Sequence, residues 1–144
     1  MKKLILLLAL PFAIVAGCQS GPTEAEQKTE LENHVMVVHD SAMANMGTII
    51  KMRRNLQALS DTLATQQTDT ATITKLQQSV TGLKAADEDM MNWMRNYKAP
   101  DTLKHQQAMD YLQQELQKIE KVKVTMDSTI KAARAIYQQH EPKN

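Results

Sequence analysis

Apolar residues recur along this chain at alternating intervals of four and three, the heptad spacing of helices that pack side by side. Three such stripes follow one another, separated by short polar breaks. The first has one polar member, Asn45, the second is interrupted by Asp87, and the third drifts near Lys123. The stripes predict three amphipathic helices, and we expect them over about residues 24–64, 70–98 and 102–139.

The breaks between the stripes carry the usual signals of helix ends. Thr23 and Glu26 have the spacing of a capping box at the start of the first helix. Pro100 stops the second helix, and Asp101 is placed to cap the third. Because both turns are short, we expect an all-α fold: an antiparallel up-down-up three-helix bundle, coiled-coil-like, whose first helix alone spans about 60 Å.

The amino terminus has the pattern of an export signal. Lys2 and Lys3 precede an apolar run over residues 4–15, which is too short to span a bilayer comfortably. The run ends in Val15-Ala16-Gly17-Cys18, which resembles the lipobox of bacterial lipoprotein precursors. The resemblance implies cleavage before Cys18, a diacylglycerol thioether on that cysteine, and acylation of its new amino group, for example with palmitate. The alternative is an ordinary secretory signal with an incidental cysteine.

These assignments divide the chain into three parts. Residues 1–17 are the predicted signal peptide, residues 18–23 a lipidated tether, and residues 24–140 the bundle. In the lipoprotein sorting rule, Gln19 beside the cysteine favours the outer membrane. We therefore expect an envelope protein held by lipid at Cys18, most simply facing the periplasm.

Composition and charge narrow the function classes. Without Lys2 and Lys3 the 17 basic residues become 15, against 16 acidic ones, so the mature net charge is about −1. No basic cluster remains, which argues against nucleic-acid binding. Aromatic residues make up only 3% of the chain, whereas there are 10 methionines. Methionine therefore supplies much of the bulky apolar material of the expected core.

Counting outward from the turns gives an approximate register. With the first turn centred near residue 66, Asn45 and Asp87 each lie 21 residues from it and should meet in one buried polar layer. Such a pair commonly fixes the register of a coiled coil at some cost in stability. The alternative is that the pair serves as a ligand or proton site.

The same counting brings histidine and methionine side chains together beside Trp93. Each helix carries an i, i+4 pair, and the pairs should stack in two neighbouring layers. Thioether and imidazole groups suit Cu(I), so the cluster is a candidate metal site. Methionines at helical spacing are more often simple core packing, which is the interpretation we favour. The six candidate ligands are His39, Met43, Met90, Met94, His105 and Met109.

Little in the sequence indicates catalysis. His39, Asp40 and Ser41 are consecutive, and consecutive helical residues point in different directions, so they do not make a catalytic triad by themselves. The sequence contains neither a glycine-rich phosphate loop nor an HExxH motif. We expect a protein that is not an enzyme, has no catalytic residues and needs no cofactor.

Two stretches resemble those of small helical lipoproteins of Bacteroidota, some of which carry the label "viral A-type inclusion protein". They are VMVVHDSAMANMG at residues 35–47 and DMMNWMRNY at residues 89–97. The resemblance covers most of the mature chain and implies a helical, lipidated envelope protein, and the methionine-rich composition agrees with this type. It implies no particular activity.

Two functions follow from these observations. The first is a non-enzymatic protein-binding or structural module that binds another envelope protein or a second copy of itself. The evidence for it is a second apolar strip beside the first stripe, formed by Met36, Met43 and Ile50. Such a widened apolar face can bury a partner. The second is a periplasmic Cu(I)-binding lipoprotein that uses the stacked histidine and methionine pairs.

Overall fold

The computed structural model describes residues 21–66 and 69–141, and all regular structure within these ranges is α-helical. The predicted all-α class is therefore confirmed. The predicted signal peptide and Cys18 lie outside the described residues. None of the described helices is apolar enough over a sufficient length to span a membrane. The helices are α1 (Glu24–Met43), α2 (Met46–Thr65), α3 (Thr70–Asn96) and α4 (His105–His140).

The first predicted helix is interrupted and forms two helices, α1 and α2. Ala44 and Asn45 between them keep right-handed backbone angles, but the Asn45 N–H donates to the carbonyl of Ala42 at 2.9 Å. This bond spans three residues instead of four and tightens the turn. The Asn45 side-chain amide donates to Asp127 on α4 at 2.8 Å. The expectation of one helix over 24–64 is therefore wrong at its centre.

Local side-chain bonds fix the starts of α1 and α3. The Thr23 hydroxyl accepts from the Glu26 N–H at 3.3 Å, and the Glu26 carboxylate accepts from the Thr23 N–H at 2.7 Å. This is the capping box that the spacing predicted. Because these bonds favour the ionised carboxylate, they lower the pKa of Glu26. At α3, the Asp69 carboxylate accepts from the Ala71 N–H at 3.1 Å.

The connection between α3 and α4 is longer than expected. It occupies residues 97–104, so α4 begins at His105 and not near residue 102. Lys104 precedes the helix and makes no side-chain cap, which corrects the predicted capping role of Asp101. The Asp101 carboxylate lies 3.6 Å from the Lys28 ammonium of α1. The extra residues shift α4 along α3 relative to the sequence-based register.

The helices pack around one continuous apolar core. α1 packs against α4, whereas α2 and α3 pack against each other and both contact α4. The core is mainly aliphatic, and it includes methionines from three helices, as the shortage of aromatic residues predicted. Its fully buried large side chains include Val35, Ile49, Leu56, Leu76, Leu83, Met90, Leu112, Ile119 and Met126.

Candidate functional site

Four rings form a continuous row where α1, α3 and α4 meet. The centroid of Trp93 lies 5.4 Å from that of His39 and 5.0 Å from that of Tyr97, which is stacked on it. Tyr97 in turn lies 6.3 Å from Tyr111 of α4. These separations are those of favourable aromatic pairs. The row contains the single tryptophan of the chain and two of its three tyrosines, so most of the aromatic side chains lie in one place.

His39 connects the ring row to a carboxylate. Its Nδ1 lies 2.9 Å from Oδ1 of the adjacent Asp40. The two side chains therefore meet, although consecutive helical residues were expected to point apart. Asp40 is exposed and His39 is largely covered, so the carboxylate holds the ring from the solvent side. The following Ser41 is exposed and has no side-chain bond to either residue among the described contacts.

The two tyrosines of the row are fixed by hydrogen bonds. The Tyr97 hydroxyl donates to the Glu32 carboxylate at 3.5 Å, and the Tyr111 hydroxyl accepts from the Lys98 N–H at 2.9 Å. Burial of Tyr97, together with the negative charge of Glu32, raises the pKa of Tyr97 to about 12. Both rings are therefore held in place, and Tyr97 is neutral at ordinary pH.

An open groove lies between α3 and α4 along this row and has a volume of about 640 Å³. This is within the usual size range of small-molecule sites. Its walls combine aromatic rings, amides, two acids and two lysines. The lining residues are Asp89, Asn92, Trp93 and Asn96 on α3, and Tyr111, Glu115, Lys118, Lys121, Val122 and Thr125 on α4.

Two of the lining residues are nearly buried although both carry polar groups. Trp93 is 7% exposed, and its indole Nε1 has no hydrogen-bond partner within the described part of the chain. Glu115 is 5% exposed, and its Oε1 accepts from the Lys118 ammonium at 2.7 Å. This bond and the opposite charge raise the pKa of Lys118. A buried donor without an acceptor costs about 1–3 kcal/mol, so Trp93 stands out.

The predicted polar layer of Asn45 and Asp87 is not formed as expected. Asn45 bonds to Asp127 of α4, whereas the Asp87 carboxylate accepts from the Arg53 guanidinium at 3.2 Å. The first-turn count paired the two positions, but α4 offers Asn45 another acceptor and α2 offers Asp87 a donor. Each residue is only partly buried and joins a pair of helices, as a register-setting residue does.

The six candidate metal ligands do not assemble into one site. The Asn45–Asp127 bond sets the register of α1 against α4. Counting six residues back along both helices puts His39 at the level of residue 121. His105 begins α4, about 16 residues and ~24 Å away at the rise of a helix. Met109 lies in a shallow hollow with His34 and Leu31. Imidazoles this far apart cannot bind one ion.

The four remaining candidates are also divided. Met90 is fully buried in the core, and Met43 packs against the same core from its edge. Met94 is 39% exposed, because Trp93 and not Met94 faces His39. The placement of His39 opposite Trp93 is confirmed, since the first turn was counted correctly. No group of three or more His, Cys, Asp or Glu residues in the described ranges is arranged to hold a metal ion.

The groove itself was missed in the sequence, although one signal for it was present. Glu115 follows Ala108 and Leu112 and precedes Ile119 at core-facing spacing, so an acid occupies an inward position of the third stripe. A charged residue at such a position is rarely buried without a partner. Its ion-pair partner, Lys118, lies one helical turn further along the same helix.

In comparisons with known proteins, no protein-family model, no curated protein and no solved structure matches this chain.

Proposed function

We propose that this chain is a lipid-anchored protein of the cell envelope whose helical bundle binds other molecules without catalysing a reaction. The lipobox-like sequence that ends in Cys18 supports the anchor. The all-helical body, beginning only a few residues later at Glu24, supports a compact bundle carried close to the membrane. We propose that the bundle stands on the periplasmic side of the outer membrane. In it, α1 and α2 run away from the membrane, α3 runs back towards it, and α4 runs away again.

The observation that carries the binding role is the groove between α3 and α4. It is open to solvent, yet two nearly buried residues line it: Glu115, which is paired with Lys118, and Trp93, whose buried indole N–H has no acceptor among the described residues. Packing alone does not favour such groups, since buried polar atoms are normally paired. A bound molecule that supplies the missing acceptor is a direct reason for their presence.

Mass spectrometry of the chain expressed in a bacterium tests the anchor. The wild-type protein should lose residues 1–17 and gain diacylglycerol and an amide-linked acyl chain at Cys18. The Cys18→Ser variant should lack the lipid and leave the detergent-rich phase on phase partitioning, whereas Ser20→Ala, the matched control, should retain both. An unmodified Cys18 in the wild type would contradict the anchor.

Site-specific photocrosslinking in intact cells tests the binding surface. A photoreactive residue at Thr125 in the groove should give a discrete adduct, and the same residue at Lys131, an exposed α4 position outside the groove lining, should not. Sedimentation of the purified protein distinguishes an adduct with a second copy from one with another partner. Equal labelling from the two positions, or none from either, would contradict the groove as the binding surface.

A further inference from the structure

The chemistry of the groove specifies what it can bind. We propose that the groove between α3 and α4 binds a short zwitterionic peptide of two or three residues, with its ammonium end at Asp89 and its carboxylate end at Lys121. This inference deepens the proposed binding function and rests on the groove being the binding surface. It is independent of whether the chain is lipidated.

Size is the first argument for a peptide. A volume of about 640 Å³ holds about 20 non-hydrogen atoms if each occupies roughly the 30 Å³ share of a liquid water molecule. A single small amino acid fills less than half of that space. A peptide of two or three residues fills most of it and also reaches both walls.

Charge is the second argument. The groove contains two acids and two lysines, so its lining has no net charge. Glu115 and Lys118 already form an ion pair at 2.7 Å. Asp89 and Lys121 form no ion pair with any other described residue. The groove therefore presents one unpaired negative and one unpaired positive charge, on opposite walls.

The two walls hold these charges at the same level. Two contacts set the register of α3 against α4. A Cβ placed on Gly82 would lie 3.5 Å from the Thr129 methyl group, and the Lys98 N–H donates to the Tyr111 hydroxyl. Residue numbers therefore rise along one helix as they fall along the other, which sets Asp89 across from Lys121. Packed helix axes are about 8–10 Å apart, so a ligand that lies across the groove can contact the Asp89 and Lys121 side chains together.

The interior of the groove offers donors and acceptors suited to a peptide backbone. The unpartnered Trp93 N–H needs an acceptor such as a peptide carbonyl. The Asn92 carbonyl oxygens are used within α3, by Arg95 and Asn96, which leaves the Asn92 side-chain NH₂ as a donor and the Asn96 side-chain carbonyl as an acceptor. The Lys118 side chain is 59% exposed, and its ion pair with Glu115 lies in the same lining as Trp93.

Apolar and aromatic atoms of the groove accommodate small side chains. The Val122 side chain and the Tyr111 ring are both partly exposed in the α4 wall. Because its hydroxyl is bonded to the Lys98 N–H, the Tyr111 ring keeps its position when the groove is empty or filled. A small side chain such as a methyl group fits against these atoms, which makes trialanine the appropriate probe.

Nuclear magnetic resonance of the full, ¹⁵N-labelled chain in detergent tests the proposal. The protein contains one tryptophan, so the indole N–H of Trp93 gives one resonance. Trialanine should move that resonance downfield in a saturable manner, as expected for a donor that gains an acceptor. Blocking the ammonium with an acetyl group, or the carboxylate as an amide, should each weaken binding about tenfold, because each removes one charge-assisted contact.

Matched variants test the two charges. Asp89→Asn and Lys121→Gln should each weaken trialanine binding about tenfold. Glu88→Gln, next to Asp89, and Lys131→Gln on the same helix as Lys121 lie outside the groove lining and should leave the affinity unchanged. In Asp89→Asn, the acetylated peptide should bind as well as the free one, since the ammonium has lost its partner.

Three results would overturn the peptide assignment. They are an indole resonance that does not move with trialanine, equal binding of the blocked and free peptides, and binding of free alanine as tight as that of trialanine. The photocrosslink from Thr125 reports independently on the proposed function. A groove that crosslinks to a partner but ignores trialanine therefore retains the proposed function and loses only this inference.

Discussion

α1 and α2 have the same length, 20 residues, but they bury different numbers of side chains. α1 buries only two residues, Val35 and Ala42, whereas α2 buries five. The buried residues of α2 are Ile49, Met52, Leu56, Leu59 and Ser60. Burial of apolar area is the main source of stability, so α2 contributes to the framework far more than α1 does.

Besides the partly buried apolar side chains Leu31, Val38 and Met43 that pack against the core, α1 makes polar and aromatic contacts. His39 lies against Trp93, Glu32 accepts from Tyr97, and Lys28 lies near Asp101. Exposed or partly exposed ion pairs of this kind contribute little individually. Since the break at Ala44–Asn45 separates the two helices, α1 can open while α2 stays packed.

This difference bears on function because α1 supports the groove from behind. His39 of α1 contacts the Trp93 ring, and Trp93 forms part of the groove wall. α2 contacts α3 and α4 farther from the groove and keeps them together when α1 moves. The helix that we expect to be less stable therefore lies beside the groove, and the one that we expect to be more stable lies farther from it.

The largest expected effect is that of Leu56→Ala in α2. Leu56 is fully buried, so its truncation should lower the free energy of unfolding by about 3 kcal/mol. Val35→Ala, at an equally buried position of α1, removes less material and should lower it by about 1.5 kcal/mol. Urea unfolding followed by circular dichroism measures both. An equal loss in the two variants would contradict the difference between the helices.

A smaller effect is expected at the junction of the two helices. Asn45→Ala removes the bond to Asp127, which still has Lys123 as a partner, and should cost about 1 kcal/mol in unfolding free energy. Asn55→Ala, on α2, makes a suitable control because no side-chain hydrogen bond of Asn55 occurs among the described contacts. The control should change stability by less than about 0.5 kcal/mol. Equal costs would show that the Asn45–Asp127 bond does not fix the junction.

Removal of the capping box should act on α1 alone. Thr23→Ala should destabilise α1 by up to about 1 kcal/mol, because it leaves the Glu26 N–H without its acceptor. Amide hydrogen exchange of α1 should accelerate, while exchange in α2 should not change. Acceleration in both helices would contradict the independence of α1.

The last effect is absent at neutral pH and is expected only at alkaline pH. Tyr97 has a pKa near 12 in the folded chain, above its ordinary value of 10.0, so the folded state favours the neutral ring. The stabilisation is complete below pH 10 and is lost as the pH rises through 12. Tyr97→Phe should reduce the loss of stability in that interval, and Tyr137→Phe, outside the ring row, should not. Identical pH profiles for wild type and Tyr97→Phe would contradict this assignment.

The helical fold could be predicted because heptad spacing and helix-end signals are local features of the sequence. The capping box at Thr23 and the placement of His39 against Trp93 followed from such features and from a correctly counted first turn. The interruption at Asn45 could not be predicted, because the heptad spacing continues through it and the side-chain partner of Asn45, Asp127, is 82 residues away in the sequence.

The candidate metal site failed for a physical reason at the second connection. Pro100 and Asp101 indicated a short turn with a cap, but Asp101 lies near Lys28 and the connection continues to Lys104. The resulting shift separates His105 and Met109 from His39. The groove was missed because Glu115 was left out of the third stripe, and only the packing of the helices shows that it is buried.

Residue-resolved amide hydrogen exchange of the native protein tests the central difference most directly. The central amides of α1 should exchange through local opening at least about tenfold faster than those of α2. α2 should exchange together with the buried segments of α3 and α4, through global unfolding. Equal protection of the central amides of α1 and α2 would contradict that difference.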